Sequence, residues 1–216
     1  ALRDAGTEFV TIVGKTWDLH ATEVLGVSLE ENLEMIADSV AWLTRQGRKV
    51  IYDAEHFFDG AAANPDYGLR TIAAAAQAGA ALECLCDTNG GSLPQRIADF
   101  VKKARETVPC PIGIHPHNDA GLAVANAPAA LRMGVSQFDA TAGGLGGCPY
   151  AGQPKAAGNI CTEELVLLCE EMGIATGIDL DVLIEVGRMA EDIVGHQLPG
   201  ELIPAGSLDA MRRKAD

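Results

Sequence analysis

Five short apolar runs, each followed by a helix-patterned stretch, constrain the fold of this chain more than any other feature. "EFVTIVG" (8–14), "KVIYD" (49–53), "ALECLCD" (81–87), "PIGIH" (111–115) and "QFDAT" (137–141) read as strands. Helical patterns follow over 28–47, 66–79 and 93–108, and over most of 121–134, and helices around 162–172 and 179–194 close the chain. In the first helix, Ser28 and Glu31 form a capping box, Leu29, Leu33, Ile36, Val40 and Leu43 make one stripe, and Gly47 ends it. Pro94 suits the first turn of the helix at 93–108, whereas Pro128 falls inside a helix, where it costs about 3 kcal/mol or a kink. The strand runs lack polar alternation, as strands covered on both faces do. Parallel βα units wound right-handed build either a doubly wound sheet or a (β/α) barrel. A full eight-stranded barrel takes roughly 250 residues. Five strands in 216 residues therefore imply an open sheet or part of a barrel. With 48% hydrophobic residues and few aromatics, 1–216 reads as one domain with an Ala/Leu/Val core.

Polar and ionisable residues recur at the strand C-terminal ends: Asp53-Ala54-Glu55-His56, Asp87-Thr88-Asn89, His115-Pro116-His117-Asn118-Asp119 and Asp139-Ala140-Thr141. A barrel collects its chemistry on that rim. His115 and His117 lie two apart, so a strand turns both rings to one face, and the polar Asn118-Asp119 follows directly. That pattern favours a metal over a hydrogen-bonded histidine pair, and it leaves Mg²⁺, Mn²⁺, Zn²⁺ and Fe²⁺ open. The glycine-rich stretch 143–159 carries Cys148, with Asn159 downstream. Among so many glycines an exposed thiol is expected, suited to a proton donor or nucleophile on a closing loop. Asp87, before a glycine turn, reads equally as a turn or cap residue and as a base beside the rim. The cluster Asp53, Glu55, His56 and Asp59 could bind a cation but reads as a solvated loop, and His20 and His196 read as isolated structural histidines. "LRDAG" (2–6) reads as the tail of a helix feeding the first strand.

The formal net charge of -14 argues against nucleic acid as a partner. No stretch approaches a membrane span and no N-terminal signal segment is seen, and six cysteines without a C-x-x-C pair suit reduced thiols in the cytoplasm.

Together these residues resemble the DRE-TIM metallolyase superfamily of pyruvate carboxyltransferase-like barrels, which includes hydroxymethylglutaryl-CoA lyase and the isopropylmalate, homocitrate and citramalate synthases. The resemblance is divided along the chain. Residues 8–127 resemble citramalate synthase, through "TIVGKTWDLHATEVLGVSLEEN", "IYDAEHFFDG", "LCDTNGGSLP" and "HPHNDAGLAVAN". Residues 128–206 resemble hydroxymethylglutaryl-CoA lyase, through "FDATAGGLGGCPYA", "AAGNICTEELV" and "VGHQLPGELIPAG". The resemblance implies a partial TIM barrel of about five βα units, equivalent to the last five of eight. It implies His115, His117 and Asn159 as ligands of a divalent metal, Mg²⁺ or Mn²⁺ before Zn²⁺ or Fe²⁺. It implies Cys148, Asp87 and His115 in catalysis, with an acyl-CoA, a coenzyme A thioester, as substrate.

The activity so implied is a metal-dependent carbon–carbon lyase on a 3-hydroxyacyl-CoA, giving acetyl-CoA and a keto acid. The alternative is a citramalate or isopropylmalate synthase-like acyltransferase, and a third reading is an inactive truncated or recombinant fragment. The loop "GLGGCPYA" ranks the lyase first, although "HND" stands where lyases carry "HDT". The family's first strand bears an Arg-Asp pair, and in this reading that strand is absent and Arg3-Asp4 does not stand in for it, so the chain alone is expected to be inactive, and its open sheet edges are expected to pair into homodimers or aggregates.

Overall fold

The computed structural model describes residues 2–147 and 158–208. After a 3-10 turn at Arg3–Ala5 come β1 (Phe9–Lys15), a π-helical turn (His20–Leu25), α1 (Leu29–Arg45) and β2 (Lys49–Glu55). Then follow α2 (Phe57–Ala63), α3 (Pro65–Gln77), β3 (Leu82–Asp87), α4 (Pro94–Thr107), β4 (Ile112–Pro116), α5 (Ala123–Arg132) and β5 (Gln137–Phe138). Helices α6 (Thr162–Glu171), α7 (Leu180–Val194) and α8 (Leu202–Ala205) end the described chain.

The five strands form one parallel sheet in the order β1-β2-β3-β4-β5. Every crossover steps one strand in the same direction. A doubly wound sheet needs the order to reverse, so this winding is that of a barrel, opened into a five-stranded sheet. Strand alternation divides the side chains. Val10, Val50, Tyr52, Leu85 and Ile114 point to the helices and pack in the main core with Ile36, Val40, Ile72, Ile97 and Val101. The opposite, inner face is open along β1, where Phe9 and Val13 are exposed. The expectation that all strands are covered on both faces therefore holds for β3, which is buried throughout, and fails for β1.

The helix signals act locally as the sequence predicts. Ser28 Oγ accepts the Glu31 N–H at 3.1 Å, and Pro94 opens α4. Pro128 sits inside α5, which continues through it to Arg132. Three expectations are corrected. The stretch 52–60 is not a solvated loop: it ends β2 and starts α2, with Phe57 and Phe58 fully buried. His20 is not isolated, because its ring stacks between Trp17 and His56 at 5.0 and 4.6 Å. The strand expected at 137–141 is regular only over Gln137–Phe138, with an isolated parallel bridge from Thr141 to Cys161 beyond it. Among the described residues no helix is long and apolar enough to cross a membrane, and Cys84, Cys86, Cys110, Cys161 and Cys169 are free thiols.

Candidate metal centre

β4 carries His115 next to its last residue and His117 follows directly after Pro116, and strand alternation carried on through 117 sends both rings to the inner face that the helices leave open. There the two Nε2 atoms stand 3.1 Å apart. Each ring has a carboxylate behind its other nitrogen. Asp139 Oδ2 lies 3.1 Å from His115 Nδ1, and Asp119 Oδ2 lies 3.5 Å from His117 Nδ1. With a proton on each Nδ1, facing those carboxylates, both Nε2 lone pairs converge on one point. Burial works against a charge on His115, but the Asp139 hydrogen bond and the Asp53 and Asp139 carboxylates outweigh it and its pKa is raised. Burial, then the charge of His115, lowers that of His117. The His115 hydrogen bond in turn holds Asp139 below the usual carboxylate range.

Asn159 comes to the same place on a short segment beside β4. Asn118 N–H donates to Gly158 O at 2.6 Å and Ile160 N–H to Pro116 O at 3.0 Å, an antiparallel bridge that pairs Asn159 with His117. Gly158 (φ 76°) is needed there, since a Cβ would lie 2.1 Å from the Gly146 carbonyl oxygen. Asn159 Nδ2 donates to Leu145 O at 2.8 Å, while its Oδ1 is buried without a hydrogen-bond partner among the described residues. The amide also favours charge on His115. Two facing imidazole nitrogens and an orphaned buried amide oxygen are a donor set that fits a divalent cation.

The other residues singled out in the sequence are placed differently. Asp87 follows Cys86 on β3, and Cys86 pairs with His115, so alternation turns Asp87 to the opposite face. Its two oxygens accept from Ser92 Oγ at 2.8 Å and Ser92 N–H at 3.2 Å, and burial raises its pKa. The structure thus joins His115, His117 and Asn159 and turns the Asp87 side chain to the turn at 87–92, while the Asp87 carbonyl accepts the His117 N–H at 3.3 Å. Cys148 lies outside the described residues. Glu55 pairs with Lys15 across β1 and β2. His56 has a left-handed backbone (φ 55°), is held by Thr88 Oγ1 at 2.8 Å from its N–H, and is 3.6 Å from Asp59. Asp119 and Asp139 stand in the polar strings at the strand ends; in the sequence reading Asp119 enters only as polar support for the histidine pair, and Asp139 has no part. Asp119 lies two residues beyond His117, whereas Asp139 meets His115 only through the β4–β5 pairing.

A family model described as HMGL-like matches residues 1–190. The chain is 51% identical over 154 residues to an (R)-citramalate synthase of Synechocystis sp., a match covering 68% of this chain and 28% of that protein. The chain spans 27% to 48% of the length of the curated relatives it matches. Among solved structures, the HMG-CoA lyase of Bacillus subtilis superposes with a TM-score of 0.83 at 26% identity, over 93% of this chain and 68% of that one. An HMG-CoA lyase from Acinetobacter baumannii, solved with coenzyme A and 3-methylmalate, superposes with a TM-score of 0.77 at 29% identity, over 95% and 68%.

Proposed function

The chain belongs to the HMGL-like family of the DRE-TIM superfamily, and from that membership and the geometry of the rim we propose that it makes a carbon–carbon bond between acetyl-CoA and a 2-oxo acid such as pyruvate, as a citramalate synthase-type acyltransferase. The observation that carries the chemistry is the convergence of His115 Nε2 and His117 Nε2 beside the orphaned Asn159 Oδ1. These three atoms would hold a divalent cation, Mg²⁺ or Mn²⁺. When bound, that ion supplies Lewis acidity toward the keto and carboxylate oxygens of the substrate.

The protein's own groups prepare the site. Asp139 accepts the His115 Nδ1 proton, fixes the ring's tautomer and keeps Nε2 aimed at the ligand point. Asp119 does the same for His117 from 3.5 Å. Leu145 O holds the Asn159 amide through its Nδ2 and leaves its Oδ1 without a hydrogen-bond partner among the described residues. His117 is almost wholly buried and His115 partly so, which limits competing water around both rings.

The synthase is placed first because a relative at 51% identity is a synthase. This reverses the order drawn from "GLGGCPYA", which put the lyase first. A lyase acting on a 3-hydroxyacyl-CoA remains the second reading, favoured by the HMG-CoA lyase superpositions. In that reading Cys148 is the proton donor. The test is an assay of this chain, alone and with any coding sequence continuous with it, in Mg²⁺ or Mn²⁺. Metal-dependent release of free coenzyme A from acetyl-CoA and pyruvate is the expected result. Acetoacetate from hydroxymethylglutaryl-CoA without that release would establish the lyase instead.

A further inference from the structure

The inner face holds a second group of ligating atoms next to the histidine centre, where Cys84 Sγ lies 3.5 Å from Oδ2 of Asp139, the carboxylate behind His115. Cys84 and Cys86 share one face of β3. Across the sheet, Asp53 on β2 pairs with Cys84, and His115 on β4 pairs with Cys86. One atom each of Asp53, Cys84 and Cys86 lie within 4.8 Å of one another. Both thiols are buried, and Asp53 Oδ1 is buried without a hydrogen-bond partner among the described residues.

A disulfide is a poor use for these thiols. Residues two apart on a strand are about 6.6 Å apart at Cα with parallel Cβ directions, at the outer limit of disulfide geometry. A tetrahedral metal suits them better. Zn–S bonds of about 2.3 Å separate two sulfurs by roughly 3.8 Å, and the ion would also satisfy the orphaned carboxylate oxygen.

We propose that Cys84 Sγ, Cys86 Sγ and the Asp53 carboxylate form a second metal site, selective for Zn²⁺, buried on the inner face of the sheet. The two sulfurs select a borderline-soft ion over Mg²⁺ or Mn²⁺, and three protein ligands leave one tetrahedral position for water. Binding deprotonates both thiols and releases their protons to solvent. The bound ion links β2 to β3 on the side that the helices do not cover.

Cobalt(II) is the probe, because thiolate ligation gives it an intense near-ultraviolet charge-transfer band. Titrating the 216-residue protein with Co²⁺ should develop that band to one equivalent, and added Zn²⁺ should abolish it. The band should persist in His117→Ala, weaken in Cys84→Ala, which keeps a small apolar side chain in the core, and disappear in the Cys84→Ser/Cys86→Ser double variant. Asp53→Ala should weaken Zn²⁺ binding by about tenfold or more. No band in the unsubstituted protein would overturn the proposal, whatever the variants do. So would a band that survives loss of both cysteines, or one that His117→Ala removes. The proposal does not rest on the metal reading at the histidines, although Asp53 also lies within 4.8 Å of His115 and Asp139 ligand atoms, and His117→Ala tests the two sites in opposite directions.

Discussion

At the scale of single residues, the carboxylates behind the histidines separate a metal centre from an incidental pair. Asp139→Ala removes the acceptor at His115 Nδ1 and frees that ring to turn. Mn²⁺ affinity measured by titration calorimetry should fall by about 10- to 100-fold, with unfolding little changed. An unaltered affinity would mean that His115 needs no such support. Glu83 is the other residue with a measurable signature. It is fully buried on β3 facing the helices, its Oε2 has no partner among the described residues, and burial pushes its pKa up to about 9. The folded state therefore keeps a proton that the unfolded chain loses above the ordinary glutamate range. Stability should decline as pH rises from that range toward about 9, by about 3 kcal/mol at pH 7 relative to acid. Glu83→Gln should remove about one proton's worth of slope, near 1.4 kcal/mol per pH unit, from denaturant midpoints between about pH 5 and 8. An unchanged slope would show that Glu83 ionises normally in the fold.

At the scale of elements, α2 shows how local pattern and packing diverge. "HFFDG" has neither helical periodicity nor a cap, and its helix exists because Phe57 and Phe58 enter the core while Gly60 seats against the turn after β1. A Cβ at Gly60 would stand 2.6 Å from Thr16 O and 2.8 Å from Trp17 Cα, both backbone atoms that cannot swing aside. Gly60→Ala should thus cost about 1–3 kcal/mol in a urea titration, and a neutral result would mean that α2 shifts freely. Helix α1 is the contrasting case, with every signal local. Ser28→Ala removes the acceptor for Glu31 N–H and should cost about 1 kcal/mol by the same measurement. No loss would mean that water caps the helix equally well.

For the whole molecule, charge and the open face dominate. A net charge of -14 on 216 residues makes the compact state repel itself. Raising ionic strength to about 0.15 M, where the screening length is about 8 Å, should raise the thermal midpoint. A midpoint that falls with salt would mean that ion pairs such as Lys15–Glu55 outweigh the net repulsion. The histidine centre, read as a metal site, offers neutral donors from His115, His117 and Asn159, with one carboxylate oxygen each of Asp53 and Asp139 within 4.8 Å of a His115 ring nitrogen.

The amino-acid sequence alone determined the βα order, the start of α1 at Ser28 and the His115–His117 pairing, because each depends on spacing within a few residues along one element. It left the choice between a doubly wound sheet and a barrel open, because strand order is set by where each helix packs rather than by any run of residues. It missed the short α2, whose stability comes from Phe57 and Phe58 in a core built by distant segments. It listed Asp87 and Asp139 together as acids at strand ends and gave a catalytic role to Asp87 alone. The tertiary structure alone decided that Asp139 meets His115 while Asp87 turns to Ser92, since that choice rests on strand register and on which face of the sheet each residue takes.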